Sequence, residues 1–176
     1  MPDLPKKMAS GAGLSIGGVT VGAPVALAPM SGITDAPFRR LVARFGAGWV
    51  VSEMVPSDDL ARGEEEARLR AEGDGLDLHV VQIAGCEPRW MAEGAKVAAG
   101  AGAGIIDINM GCPAKRVTGG YAGSALMRDL DLAEALIAAT VAAVDIPVTL
   151  KMRLGWDGRR SMPPNLPAVP RPSGSG

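Results

Sequence analysis

A chain of 176 residues with 47% apolar content is long enough for one domain with a real core. A formal net charge of −1 and a pI near 5.8 speak against a chain-wide basic footprint for nucleic acid, although a local basic patch can sit on a neutral protein. Only 3% of the residues are aromatic, so aliphatic side chains and Met must fill the core, which suits a layered α/β protein better than an all-β sandwich. The two cysteines, Cys86 and Cys112, make neither a disulfide framework nor a CxxC zinc pair, and no metal site is expected. Glycines 11, 13, 17, 18 and 22 interrupt the segment after Lys6 and Lys7, so no signal peptide is expected. No apolar run reaches the roughly 18 residues a membrane span needs, which makes the cytoplasm the expected location.

Residues 1–24 form a polar, Gly-rich leader with a short hairpin expected around Leu14 to Val21. Val25 to Met30 is an apolar run that predicts a first buried strand. Thr34 and Asp35 open a helix that tolerates Pro37 in its first turn; Phe38, Leu41, Val42 and Phe45 draw one apolar stripe, and Gly46 is its stop. Trp49 to Met54 predicts a second strand, followed over 57–73 by a charged helix or long loop. Leu78 to Ala84 is a third strand, Glu87 to Gly102 a helix with Met91, Ala95 and Ala98 on one face, and Ile105 to Met110 a fourth strand. Asp131 and Glu134 have the spacing of a helix N-cap and its N3 partner, with Leu132, Leu136, Ala139 and Ala143 facing inward. Pro147 to Met152 is the fifth strand. This alternation predicts βαβ units with parallel strands whose near-continuous apolar runs are covered on both faces. Residues 158–176 then bring five prolines and no acidic residue, which excludes helix and interior strand. So abrupt a change within a βα unit favours a shifted reading frame over a disordered end.

In parallel α/β proteins, ligands gather beyond the carboxyl ends of the strands. The polar or unusual residues there are Pro29-Met30-Ser31, Glu53, Gln82, Asn109 with Cys112, and Lys151 with Arg153, so that each of the five strands delivers one. Lys151, flanked by apolar neighbours, must find an anion or snorkel to water; an ammonium there would stabilise negative charge on a reduced flavin ring. Gln82 can donate and accept, as a pyrimidine edge requires, or be a satisfied core amide. Cys112 sits in Asn109-Met-Gly-Cys-Pro-Ala-Lys115 on a loop with glycines at 119, 120 and 123, placed to move as a lid and to give up a proton. The bland alternative for Cys112 is a small buried hydrophobe, which is also the reading of Cys86. No G-x-G-x-x-G opens a helix after a strand, which argues against a Rossmann fold.

Five segments carry a resemblance: Ala28-Pro-Met-Ser-Gly-Ile-Thr-Asp-Ala-Pro-Phe-Arg39, Val51-Ser-Glu-Met54, Val81-Gln-Ile-Ala-Gly85, Ile106-Asp-Ile-Asn-Met-Gly-Cys-Pro-Ala-Lys115 and Leu150-Lys-Met-Arg153. In order and spacing they resemble the bacterial tRNA-dihydrouridine synthases, over roughly residues 24–157. The resemblance implies an α/β fold of the (β/α)8 TIM-barrel family that binds FMN, takes electrons from NADPH and reduces a flipped-out uridine of tRNA. Only the first five βα units are present, over 25–157, followed by a tail at 158–176 foreign to the family. By motif, Cys112 would protonate the uracil ring, Pro29, Met30 and Ser31 would cradle the flavin through backbone contacts, Gln82 and Lys151 would bind its ring, and Asn109 would contact flavin or base. Charge and placement assign Lys115, Arg116 and Arg153 to substrate phosphates. The family's later motifs and its helical tRNA-gripping domain have no counterpart here, so this chain alone is expected to bind FMN poorly and to lack activity; the full-length protein would be a monomer. Two alternatives are an inactive or RNA-binding remnant and another FMN barrel such as a dihydroorotate dehydrogenase, against which the Cys112 loop argues.

Overall fold

A computed structural model describes residues 14–157 and 160–161. Two short strands, β1 (Ser15–Ile16) and β2 (Val19–Thr20), pair antiparallel around Gly17 and Gly18. Both glycines have positive φ (55° and 89°), as a tight two-residue hairpin turn demands. The chain then runs through β3 (Ala26–Leu27), α1 (Ala36–Arg44), β4 (Trp49–Val51), β5 (Val55–Pro56), α2 (Ser57–Arg62), α3 (Glu65–Ala71), β6 (His79–Ala84), α4 (Pro88–Gly100), β7 (Ile105–Met110), α5 (Lys115–Thr118), α6 (Leu130–Ala143) and β8 (Val148–Met152). A 3-10 helix, Gly123–Arg128, precedes α6, and β9 (Gly155–Asp157) pairs antiparallel with β10 (Arg160–Ser161) after β8.

Strands β3, β4, β6, β7 and β8 lie side by side in chain order, all parallel. A doubly wound sheet would reverse its order at a switch point. Here each new strand is added to the same side, which is how a (β/α)8 barrel is built. The second barrel strand is broken: β4 pairs the lower part of β6, β5 pairs its end at Ile83 and Ala84, and Ser52 bridges the gap. Its amide donates to Val80 O, and its hydroxyl accepts from the Gln82 amide at 2.9 Å.

Alternation along the strands sorts two interiors. Val81, Ile83, Ile106, Ile108 and Met110 pack outward against Met91, Ala95, Ala98, Ala133 and Leu136 of the helices, with Val148, Leu150 and Met152 beside them. On the concave side, Val51, Val80 and Ile105 form a small apolar layer sealed by Ile16, Val19, Trp49 and Leu78, so the hairpin plugs the lower end. Above this layer the concave side turns polar, because register places Gln82 beside Asp107, Asp107 beside Thr149 and Asn109 beside Lys151.

Several local expectations are corrected. Helix α6 is capped by Asp129, whose carboxylate accepts from the Leu132 amide at 3.0 Å; Asp131 lies in the first turn, where its charge favours the helix dipole. Its buried face is Ala133, Leu136 and Thr140, with Leu132 only partly covered. On α1, Asp35 is the cap and Gly46 takes φ 95° as foreseen, but Leu41 and Phe45 are 46% and 69% exposed. That helix buries Ala36 and Arg39 instead, because among the described residues β3 is the sheet's last strand on that side and nothing lies beyond it. The same geometry leaves β8 half-buried on the other side, whereas β6 and β7 are buried throughout. The charged stretch over 57–73 holds α2 and α3. The hairpin around Leu14 to Val21 is present, with the Val21 amide donating to Leu14 O at 2.9 Å. Residues 1–13 of the leader and, apart from β10, the tail from 158 onward lie outside the described residues.

Candidate active site

At the carboxyl end of the sheet, Pro29, Ser31, Met54, Gln82, Asn109, Gly111, Cys112, Pro113 and Lys151 enclose a cleft of about 290 Å³. Strand parity aims these groups. Asn109 and Lys151 are register partners on β7 and β8, and Gln82 stands on the adjacent strand, so three concave-facing polar side chains converge on one volume. A larger, more open depression of about 530 Å³ shares Ser31 with it but is bounded by Asp35, Glu53 and Glu66, with Arg70 as its one cation. That balance repels phosphate and enolate groups alike, so the smaller cleft is the better candidate.

The amides of the cleft are held firmly. Gln82 Nε2 donates to Asp107 Oδ2 at 2.7 Å, and Gln82 Oε1 accepts from Asn109 Nδ2 at 2.8 Å. Asn109 Oδ1 accepts from the backbone N–H of Gly111 at 3.2 Å and of Cys112 at 3.0 Å. Asn109 therefore shapes the loop that carries the thiol. From the other side the Ser124 amide donates to Cys112 O at 2.9 Å, and Gly123, at φ 61°, lies so close that a Cβ there would sit 2.7 Å from that oxygen. Cys112 is half-buried at the cleft, which removes the reading of it as a core hydrophobe. Cys86 is likewise half-buried, in a separate pocket of about 220 Å³ with Ser57 and Trp90, and burial raises its thiol pKa.

Not every singled-out residue enters the cleft. Met30 does not line it: its N–H donates to Thr34 Oγ1 at 3.0 Å, and its carbonyl accepts from Ile33 and Thr34, so it folds the turn before α1. Lys115 is exposed on α5, away from the cleft lining. Arg116 is on the same helix, but its side chain lies outside the described residues. Arg153 Nε donates to Gly111 O at 2.7 Å, bracing the Cys112 loop from the residue that follows β8. The Glu53 carboxylate accepts from the Gly32 amide and so ties the loop after β3 to the break between β4 and β5.

Asp107 and Arg39 are among the buried polar residues that escaped sequence reasoning. Asp107 is 7% exposed, and burial pushes its carboxyl pKa up against the opposing pull of Thr149, Gln82 and Lys151. Its signal was available: an acid on an apolar strand with the parity of Asn109. Arg39 is fully buried; its Nε donates to Thr34 O at 3.0 Å and its Nη2 to the carbonyls of Arg70 and Glu72 at 3.2 and 2.7 Å, stapling α1 to the end of α3. No pattern distinguished it from its neighbour Arg40, which is half-exposed and pairs with Glu72.

The cleft's chemistry fits one face and edge of a planar, electron-rich heterocycle. Gln82 and Asn109 each keep one N–H and Gln82 one lone pair beyond the bonds given above. The Lys151 ammonium makes no salt bridge among the described residues. Among those residues there is also no cluster of His, Cys, Asp and Glu able to hold a metal, and no helix long and apolar enough to cross a membrane.

Comparison with known proteins agrees with this geometry. The family described as "Dihydrouridine synthase (Dus)" matches residues 26–163. A probable tRNA-dihydrouridine synthase of Rhizobium leguminosarum bv. phaseoli is 63% identical over 142 residues, 81% of this chain and 45% of that protein. Another, from Rickettsia conorii, is 50% identical over 163 residues, covering 92% of this chain and 49% of its own length. The tRNA-dihydrouridine synthase B of Pseudomonas aeruginosa is 54% identical over 143 residues, or 81% and 43% of the two chains. The chain spans about half the length of these curated relatives. With its barrel-ordered parallel strands and its thiol-bearing cleft, it belongs to the dihydrouridine synthase family.

Proposed function

We propose that this chain carries the flavin-facing and base-facing part of a tRNA-dihydrouridine synthase, an FMN-dependent reductase that acts on uridines of tRNA with NADPH as reductant. The observation that carries the reading is the convergence of Gln82, Asn109, Cys112 and Lys151 on one cleft from three successive barrel strands and the loop that follows one of them. FMN, when bound and reduced by NADPH, would supply the hydride. Gln82 and Asn109 offer their remaining hydrogen-bonding positions to the ring edge, and Lys151 places a positive charge where a reduced ring is negative. Pro29 and Ser31 form the wall contributed by the loop after β3. Cys112, held on its own loop, gives its thiol proton to C5 of the uracil while C6 receives the hydride, so the C5–C6 double bond becomes a single bond and a thiolate remains. Arg153, Lys115 and Arg116 lie on or beside that loop, a position suited to the phosphates around an extruded base. Such a reaction on tRNA is what supports a cytoplasmic location.

Titration of the chain with FMN, followed by flavin fluorescence, tests the reading. Weak but saturable quenching is expected, with Lys151→Ala weakening it by about tenfold, the equivalent of about 1.4 kcal/mol. Quenching that is unchanged in Lys151→Ala and in Gln82→Leu would place the flavin elsewhere and sink the assignment.

A further inference from the structure

Below the cleft runs an unbroken relay. Thr149 Oγ1 donates to Asp107 Oδ1 at 2.7 Å, Gln82 Nε2 donates to Asp107 Oδ2 at 2.7 Å, and Asn109 Nδ2 donates to Gln82 Oε1 at 2.8 Å. It ends on Asn109 Oδ1, which takes the N–H groups of Gly111 and Cys112. A primary amide has nearly the same shape either way round, with a donor at one end and an acceptor at the other. Two amides in series can therefore run in either sense. In the reversed sense the Asn109 NH2 would face the N–H of Cys112, donor against donor, and the loop would lose its anchor. The observed sense is held from both ends: at the loop by two N–H groups that can only donate, and at the far end by the Asp107 carboxylate, whose two oxygens both accept.

We infer that Asp107 is a positioning residue for Cys112: through Gln82 and Asn109 it fixes the seat of the thiol-bearing loop, although it touches neither the thiol nor the cleft. Asp107 is absent from the cleft lining, and among the described residues its side-chain hydrogen bonds go to Thr149 and Gln82. As a structural element it is a poor choice. A buried carboxylate has a desolvation cost that an uncharged side chain of the same size avoids, and Asp107 lies at 7% exposure between the uncharged Gln82 and Thr149 of the flanking strands. An acceptor-only group is what that end of the relay needs, since a neutral amide in its place could turn a donor toward Gln82 and leave the loop N–H groups alone to hold the sense. The catalytic meaning of this inference rests on the function proposed above, but its physical content concerns the loop alone.

The test needs no flavin. In a Cys86→Ala background Cys112 is the only thiol, and its alkylation by iodoacetamide can be timed while thermal unfolding is followed. Asp107→Asn keeps size and removes charge. It is expected to leave the unfolding temperature at pH 7 unchanged or higher, while the alkylation rate of Cys112 shifts by about threefold or more, the scale of one hydrogen bond. Gln82→Met breaks the relay one link later and is expected to give the same shift, so the result does not hang on one variant folding. On an Asn109→Ala background, Asp107→Asn should have no further effect on alkylation, because the connection to the loop is already cut. An unchanged alkylation rate in Asp107→Asn, or the same shift persisting without Asn109, would overturn the inference. Should the alkylation pattern appear while FMN fails to bind the unaltered chain, the positioning role stands and the flavin reading is the one that fails.

Discussion

At the residue scale, the cleft takes its polar side chains from two sources: Gln82, Asn109 and Lys151 each interrupt an apolar strand near its carboxyl end, and Ser31 and Cys112 stand on the loops beyond. Asp107 and Thr149 sit one step lower; the sequence shows an acid and a hydroxyl on apolar strands, but only the cross-strand register shows that Asp107 meets both Gln82 and Thr149. His79 illustrates a residue whose environment only the fold reveals. It is the chain's one histidine, 8% exposed at the start of β6, with Nε2 at 2.7 Å from Ala71 O. Burial lowers its pKa, and the nearby Arg39 adds to this, against the raising effect of the Ala71 carbonyl. With the folded value below the unfolded one of about 6.5, the unfolded chain binds the proton more readily, so stability is full above that pH and falls as pH drops through the folded value. Asp107 has the opposite sign: its raised folded pKa makes its charge a cost that is relieved as pH falls through that value. The two partly cancel, so the contrast between variants is the informative quantity. Urea unfolding of the chain and of His79→Gln from pH 8 to 5 should show stability falling less on acidification in the variant. Parallel curves would mean that the imidazole titrates normally.

At the element scale, strands were read well where both faces are covered, β7 to the residue, because unbroken apolar runs have one interpretation when helices lie on one side and a barrel interior on the other. Helix faces and caps were read less well. Two acids spaced two apart, Asp129 and Asp131, offer competing caps at the start of α6, and only the backbone decides which carboxylate reaches an amide. The stripe on α1 failed because exposure there depends on what lies beyond β3. Glycine content hid another packing decision. A Cβ on Gly94 of α4 would stand 2.8 Å from Ser57 O and 3.1 Å from Ser57 Cα, so this glycine lets α2 rest on α4. A Cβ on Gly100, at the end of the same helix, meets nothing within 4 Å. Helix propensity favours Ala at both sites by up to about 1 kcal/mol. At Gly94 the obstacle is backbone, which cannot rotate away, and overpacking of about 1–3 kcal/mol outweighs propensity. Gly94→Ala should therefore lower, and Gly100→Ala raise, the urea midpoint at constant slope. A gain from both would show that α2 moves freely on α4.

At the scale of the whole molecule, the described strands are a curled sheet whose outer members, β3 and β8, each have one neighbour, with Leu41 and Phe45 exposed beside the first of them. A closed (β/α)8 barrel has no such edges, and unpaired edges invite association. The relatives are about twice as long as the part that matches this chain. If the family barrel is completed by the portion those proteins carry beyond the match, that portion should bind these edges when supplied separately. Mixing the chain with the remaining segment of the Rhizobium leguminosarum protein is expected to give a one-to-one complex by analytical ultracentrifugation. The complex should show tighter FMN quenching than the chain alone and cover the apolar face of α1. Uridine reduction in tRNA by that complex should fall by about 10²–10⁴-fold in Cys112→Ala, the range for loss of a positioned general acid. Tighter quenching without any dependence of turnover on Cys112 would leave the barrel reading intact and remove the thiol from the chemistry. Fragments that sediment separately, with FMN bound no better than before, would mean that β3 and β8 are not the faces on which this barrel closes.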